Sequence, residues 1–232
     1  MAQGLECLPA GLVWQATQLA QAPGKTLPTG FAVLDAALPG GGWPAGAVIE
    51  LLTTHPGVGE ISLLLPLLRQ LVDERWMAWI APPLLPYAPA LATAGVALQR
   101  LLLIQPSTPA EALWATRQAT ASGSCALVMA WLARLDTAAL RRLQLAAEQS
   151  ATPLFLLRAL SAARHASPAV LRLALSPTAD GLQIDILKRR GPPVAGPIQL
   201  RWHELNGAAP AQAGSAIDTQ NPNAVRHLTL VD

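Results

Sequence analysis

GAVIELLTTHPGVGEISLLL, residues 46–65, is the stretch on which the reading of this chain turns. Its apolar run Ala47-Val48-Ile49-Glu50-Leu51-Leu52 reads as a buried strand. A Gly-bearing turn follows, and then an apolar, helix-like stretch over 61–72. That is the outline of a phosphate-binding loop. A working loop needs G-x-x-x-x-G-K-[ST], in which backbone amides cradle phosphates, Lys neutralises them and a hydroxyl holds Mg²⁺. On that template Thr54 takes the first Gly position, Gly57 lies in the turn and Gly59 keeps the second Gly. Glu60 stands where Lys belongs, and Ile61 where Ser or Thr should hold the metal. Exchanging a cation for an anion beside phosphate turns attraction into repulsion, worth roughly 4 kcal/mol per unit-charge pair at about 4 Å and an effective dielectric of about 20. The loop is expected to bind no nucleoside triphosphate in the usual way, and no cofactor is expected.

With 52% of its 232 residues hydrophobic and only 13% charged, the chain can build one large α/β core. No apolar run reaches the roughly 18 residues of a membrane span, and no basic n-region precedes an apolar h-region. Cytoplasmic residence and no membrane partner are the expectations. Cys7 and Cys125 are too few and too far apart for a metal motif or a disulfide framework, and His55, His165, His203 and His227 show no ligand spacing. A net charge of +2 is no nucleic-acid signature. The only lysines are Lys25 and Lys188; this arginine bias fits a GC-rich coding sequence, although arginine also suits bidentate contacts with carboxylate or phosphate.

Working outward, residues 8–21 suit a short amphipathic helix carrying Leu12, Trp14 and Leu19, broken by Ala22-Pro23-Gly24-Lys25. A short helix is expected over 31–38. Strands are expected over 76–80, 101–104, 126–131 and 154–157, with helices near 87–94, from the Thr108 cap to about 120, and over 137–149. Continuous apolar strands separated by helices argue for a parallel sheet covered on both faces. The strand-like runs 170–175, 182–187 and 198–202 read as an antiparallel extension. The division is an N-terminal helix and linker over 1–26, a core domain over 27–205, and a mobile tail over 206–232.

In order, Thr29-Gly30-Phe31-x-x-Leu34-Asp35, Gly40-Gly41-Gly42-x-Pro44-x-Gly46, Gln105-Pro106-x-Thr108 and Lys188-Arg189-Arg190-Gly191-Pro192 resemble the RecA-like fold, and within it the ImuA branch of SOS-mutagenesis proteins, over about residues 27–203. The resemblance implies an α/β, RecA-like core with a mainly parallel twisted sheet flanked by helices. It sets Pro83 at the position of the glutamate that activates water, and Ala130 at that of the carboxylate that positions magnesium. With Glu60 and Ile61, every part needed for phosphoryl transfer is absent, so no enzyme is expected. Also implied is a non-catalytic adaptor in translesion synthesis, whose partners are the ImuB polymerase-like protein, an error-prone replicative-type polymerase subunit and RecA. A second resemblance is to the cell-division inhibitor SulA, carried by Ile61-Ser62-Leu63-Leu64-Leu65-Pro66-Leu67-Leu68, by Arg75-Trp76 and by Arg158-Ala159-Leu160-Ser161-Ala162-x-x-His165-Ala166. It implies the alternative function, binding of the tubulin-like FtsZ. ATP-independent binding of single-stranded DNA is a further alternative.

As the first residue of a helix, Glu60 has a structural task, because the macrodipole and free amides favour a carboxylate there. Arg158, Arg164, His165 and Arg172 surround a segment that the RecA resemblance places against DNA. It lacks aromatics for base stacking, so a solvated loop or partner surface is the preferred reading over weak DNA contact. Ser161 and His165 have no acid nearby in sequence to make a nucleophile pair. Lys188, Arg189 and Arg190 form a run of three cations, read either as a solvated hairpin tip or as a neighbour-facing hook. Trp14, outside the domain proper, is a candidate interface anchor. The resemblance implies that its segment docks on a neighbouring subunit of a homo-oligomer.

Overall fold

The computed structural model describes residues 25–71, 74–192, 196–206 and 226–228. The predicted helix over 8–21 and Trp14 lie outside the described residues. The elements run β1 (Thr26–Leu27), α1 (Ala32–Ala37), β2 (Trp43–Pro44), β3 (Val48–Thr53), α2 (Glu60–Gln70), β4 (Trp76–Ile80), α3 (Ala88–Thr93), β5 (Leu101–Ile104), α4 (Pro109–Ala121), β6 (Cys125–Trp131), α5 (Thr137–Ser150), β7 (Leu154–Ala159), β8 (Leu171–Pro177), β9 (Gly181–Lys188), β10 (Ile198–Arg201), α6 (Trp202–Leu205) and β11 (Arg226–Leu228).

Nine strands form one sheet in the order β10-β9-β8-β3-β7-β6-β4-β5-β11. The pairs from β8 through β3, β7, β6, β4 and β5 to β11 are parallel, and β9 and β10 add antiparallel pairs. The architecture is mixed α/β, with a mostly parallel sheet between helices. Two departures from expectation follow from the pairing. The first strand of the expected antiparallel extension, β8, instead runs parallel to β3; β9 reverses direction and β10 turns back again, so β9 alone of the nine strands runs against the others. Residues 226–228, placed in the expected tail, form an edge strand beside β5.

Side-chain alternation divides the core between two faces. On one, Ile49 and Leu51 of β3 pack with Leu34 of α1, Leu63, Leu64, Leu67 and Leu68 of α2, and Leu91 of α3. On the other, Val48, Val128, Ala130, Leu154 and Leu156 meet Ala112 and Ala115 of α4 and Leu140, Leu143 and Ala147 of α5. All six residues of β3 are buried, as expected of a central strand covered on both sides. α4 begins at a capping box: Thr108 Oγ1 accepts from Glu111 N at 3.2 Å, and Glu111 Oε2 accepts from Thr108 N at 3.3 Å.

Candidate functional site

The loop after β3 ends in the left-handed Gly59 (φ 116°), the N-cap of α2, and the chain then turns into the helix at Glu60. A phosphate would need the free amides of this turn. Instead, the Glu60 carboxylate folds back onto them: Oε1 accepts from Gly57 N at 2.7 Å and Oε2 from Gly59 N at 3.1 Å. Glu60 is 3% exposed. A side chain at Gly59 would also stand 3.3 Å from the Trp202 ring of α6 and 3.6 Å from Leu182 of β9. The loop's own carboxylate thus occupies the amides, and Trp202 of α6 packs over Gly59 while Gly57 stays exposed. Thr54 is exposed and Ile61 half-buried. Pro83 is exposed on the loop after β4, while Ala130 is fully buried in β6. Neither offers a carboxylate to water or metal.

A second acid lies one strand-length earlier. Glu50, in the middle of β3, is 0% exposed on the face shared with α4 and α5. Arg158 Nη1 of β7 donates to Glu50 Oε1 at 2.5 Å, and Arg172 Nε of β8 donates to Glu50 Oε2. Arg172 donates further to the backbone oxygens of Ala162 at 2.8 Å and His165 at 3.1 Å, tying down the 3-10 turn Leu160–Arg164. This corrects the reading of Arg158 and Arg172 as surface contacts for partner or DNA. Their side chains are only 8% exposed and both bind a buried acid, a charge that is expensive to leave unpaired in a core.

The other candidate cations differ from these. Arg164 and His165 are exposed. Lys188 Nζ donates to Ser167 O at 2.7 Å; burial first, and then the charge of Arg172, hold its ammonium below the ordinary value, with Glu50 pulling the other way. Arg189 is tied by its guanidinium to Ala37 O and Pro192 O and is half-buried, whereas Lys188 and Arg190 are exposed.

Between the carboxyl ends of β6 and β7 lies a cleft of about 450 Å³, lined among others by Arg134, Asp136, Arg158, Ser161 and His165. Asp136, distant in sequence from the Ser161 and His165 it faces, caps α5 by accepting from Ala139 N at 2.6 Å. The Ser161 and His165 side chains make no hydrogen bond to one another among the described residues, so no nucleophile pair is assembled. Nor does any group of three or more His, Cys, Asp or Glu among the described residues suit a metal ion.

Sequence reasoning passed over Glu50, hidden in a run read as apolar, and also the loop over 81–87. There Leu84, Leu85 and Tyr87 are 74%, 65% and 72% exposed, the densest group of bare large apolar side chains among the described residues. The signal was present in the form of large apolar residues set among Pro82, Pro83 and Pro86, where no helix or strand can bury them. No described helix is long and apolar enough to cross a membrane.

Comparison with known proteins identifies the kinship of the central segment. Residues 46–153 match the family model described as cell division inhibitor SulA. The SulA of Edwardsiella piscicida is 38% identical over 90 residues, spanning 38% of this chain and 54% of that protein. The SulA of Pseudomonas aeruginosa strain PAO1 is 37% identical over 91 residues, 38% of this chain and 56% of that protein. The chain therefore spans little more than half the length of these curated relatives. A crystal structure of SulA from Pseudomonas aeruginosa is 32% identical, with a TM-score of 0.41, covering 50% of this chain and 99% of that one. The chain is thus related in sequence to SulA cell division inhibitors over its central segment. This overturns the ImuA-like adaptor as the main expectation, and with it ImuB, the error-prone polymerase subunit and RecA as partners. Of the two blocks that suggested SulA, Ile61 to Leu68 with Arg75-Trp76 lies inside the matched segment, and the one beginning at Arg158 lies beyond it.

Proposed function

We propose that the domain over residues 27–205 is a SulA-like inhibitor of cell division in the SOS response. It acts by binding FtsZ and not by catalysis. The observation that carries this reading is the SulA match over 46–153, which contains the exposed apolar loop at the end of β4. Leu84, Leu85 and Tyr87 stand out from the surface as an anchor for a partner protein, since contiguous bare apolar groups of this size are costly unless covered. Support for a non-catalytic mechanism comes from the loop after β3, where Glu60 fills the amides a phosphate would use. The same reading takes the core as a RecA-like domain stripped of its nucleotide chemistry, with Glu60, Ile61, Pro83 and Ala130 at the positions that would have carried it.

The test is expression in a rod-shaped bacterium together with sedimentation of purified FtsZ in the presence of GTP. Filamentous cells and less sedimented FtsZ are expected. Normal division at high expression, with FtsZ assembly untouched, would sink the reading.

A further inference from the structure

We propose that the cleft between the carboxyl ends of β6 and β7 binds one small oxyanion, a phosphate or a carboxylate group. The inference is independent of the function proposed above, because it rests on charge and hydrogen-bond accounting within the fold.

The first observation is the imbalance around Glu50. One carboxylate faces two guanidiniums, Arg158 and Arg172, and all three side chains are nearly sealed from water. The cluster therefore holds one positive charge in excess. Lys188 stands opposite Arg172 in the β8–β9 register and adds to it. Buried charge without a counter-charge is unfavourable, and the position of the excess indicates where an anion would be stabilised.

The second observation is unused donors. Arg158 lines the cleft, its side chain is 8% exposed, and its Nε has no hydrogen-bond partner. Arg134, Ser161 and His165 line the same cleft, and their side chains also have no hydrogen-bond or ion-pair partner among the described residues. The one acid in the lining, Asp136, has an oxygen committed to the first turn of α5. Guanidinium N–H groups match the paired oxygens of phosphate and carboxylate better than any other side chain. A position beyond the carboxyl ends of parallel strands is also where α/β sheets commonly receive ligands.

Size and lining favour a small group over a nucleic acid strand. The cleft, at about 450 Å³, is at the small end of ligand sites, and no Phe, Tyr or Trp lines it to stack a base.

The test is calorimetric titration of the full chain with inorganic phosphate, with acetate, and with an oligothymidylate, all at constant ionic strength. The melting temperature is followed in parallel. Saturable one-to-one binding of phosphate or acetate is expected, with a melting temperature above that in chloride. The tighter of the two anions identifies the phosphoryl or carboxylate source. Arg134→Gln, a change at an exposed side chain with no partner among the described residues, should weaken binding about tenfold. Arg158 also holds Glu50, so Arg134→Gln is the decisive variant, and its unaltered melting temperature without ligand shows that the fold is intact. No saturable anion binding, or binding indifferent to Arg134→Gln, overturns the proposal. Length-dependent oligothymidylate binding with none of inorganic phosphate overturns it in favour of a nucleic-acid surface.

Discussion

Glu50 and Glu60 bracket the carboxyl end of β3, and they keep a buried negative charge in opposite ways. Glu60 is satisfied locally, by amides one and three residues before it, at the positive end of its own helix. Glu50 is satisfied by side chains 108 and 122 positions away, on the two strands flanking β3. The first arrangement closes a site: anion and donors come from one loop, and nothing remains for a ligand. The second leaves one open, because two guanidiniums exceed one carboxylate and the surplus faces a cleft. The closed loop at Glu60 is thus separate from the anion site proposed between β6 and β7.

The largest expected effect comes from breaking the long-range cluster. Glu50→Gln removes the counter-charge from two buried guanidiniums, and should cost about 3–5 kcal/mol of stability by urea denaturation. A loss under about 1 kcal/mol would mean that water reaches the guanidiniums, and the contrast with Glu60 would fail. Next comes Glu60→Gln, which keeps one acceptor for the loop amides but loses the charge, for about 1–3 kcal/mol. This variant should still show no calorimetric binding of magnesium ATP, because Ile61, Ala130 and the covering Trp202 are unchanged. Micromolar binding would show that Glu60 alone keeps the loop empty.

The same contrast explains what could be read in the sequence. Local arrangements were legible: the apolar β3 run, the turn at 54–59, the Thr108 cap and the alternation of strands and helices all depend on neighbours a few positions apart. Glu60 was legible for the same reason, since its task needs only the first turn of its helix. The pairing of Arg158 and Arg172 with Glu50 was not, because strand order decides it, and β8 joins β3 on the side opposite β7. Without that order, arginines beside a polar segment read as surface. One acid inside a six-residue apolar strand was the available clue, since such a group needs a cationic partner from another strand.

The exposed loop sharpens the comparison from outside, because it should matter for partners and hardly at all for the fold. Leu84→Ser combined with Tyr87→Ser removes side chains that are mostly in water, so stability should change by no more than about 0.5 kcal/mol. Cell filamentation and inhibition of FtsZ assembly should be lost. A double variant that inhibits as well as the parent would remove this loop from the proposed interface.

The smallest effect belongs to a third carboxylate, which does the work of Glu60 at the surface. Glu111 accepts from the amides of Ser107 at 2.8 Å and Thr108 at 3.3 Å in the first turn of α4. The Ser107 amide, then Thr108, hold its carboxyl below the ordinary 4.5. A depressed carboxyl in the folded state contributes stability that is present above 4.5 and lost as pH falls through the lower folded value. Glu111→Gln retains a capping-box side chain but removes the charge, so its urea midpoint should lie slightly below the parent's at pH 7. The two midpoints should converge as both chains are taken into acid. A gap that stays constant below pH 4.5 would mean that shape and not charge is lost, and the common account of Glu60 and Glu111 as anions held by helix amides would then fail for the exposed member. Water screens Glu111 and not Glu60, so the larger loss expected at pH 7 for Glu60→Gln than for Glu111→Gln measures what burial adds to the same arrangement of amides.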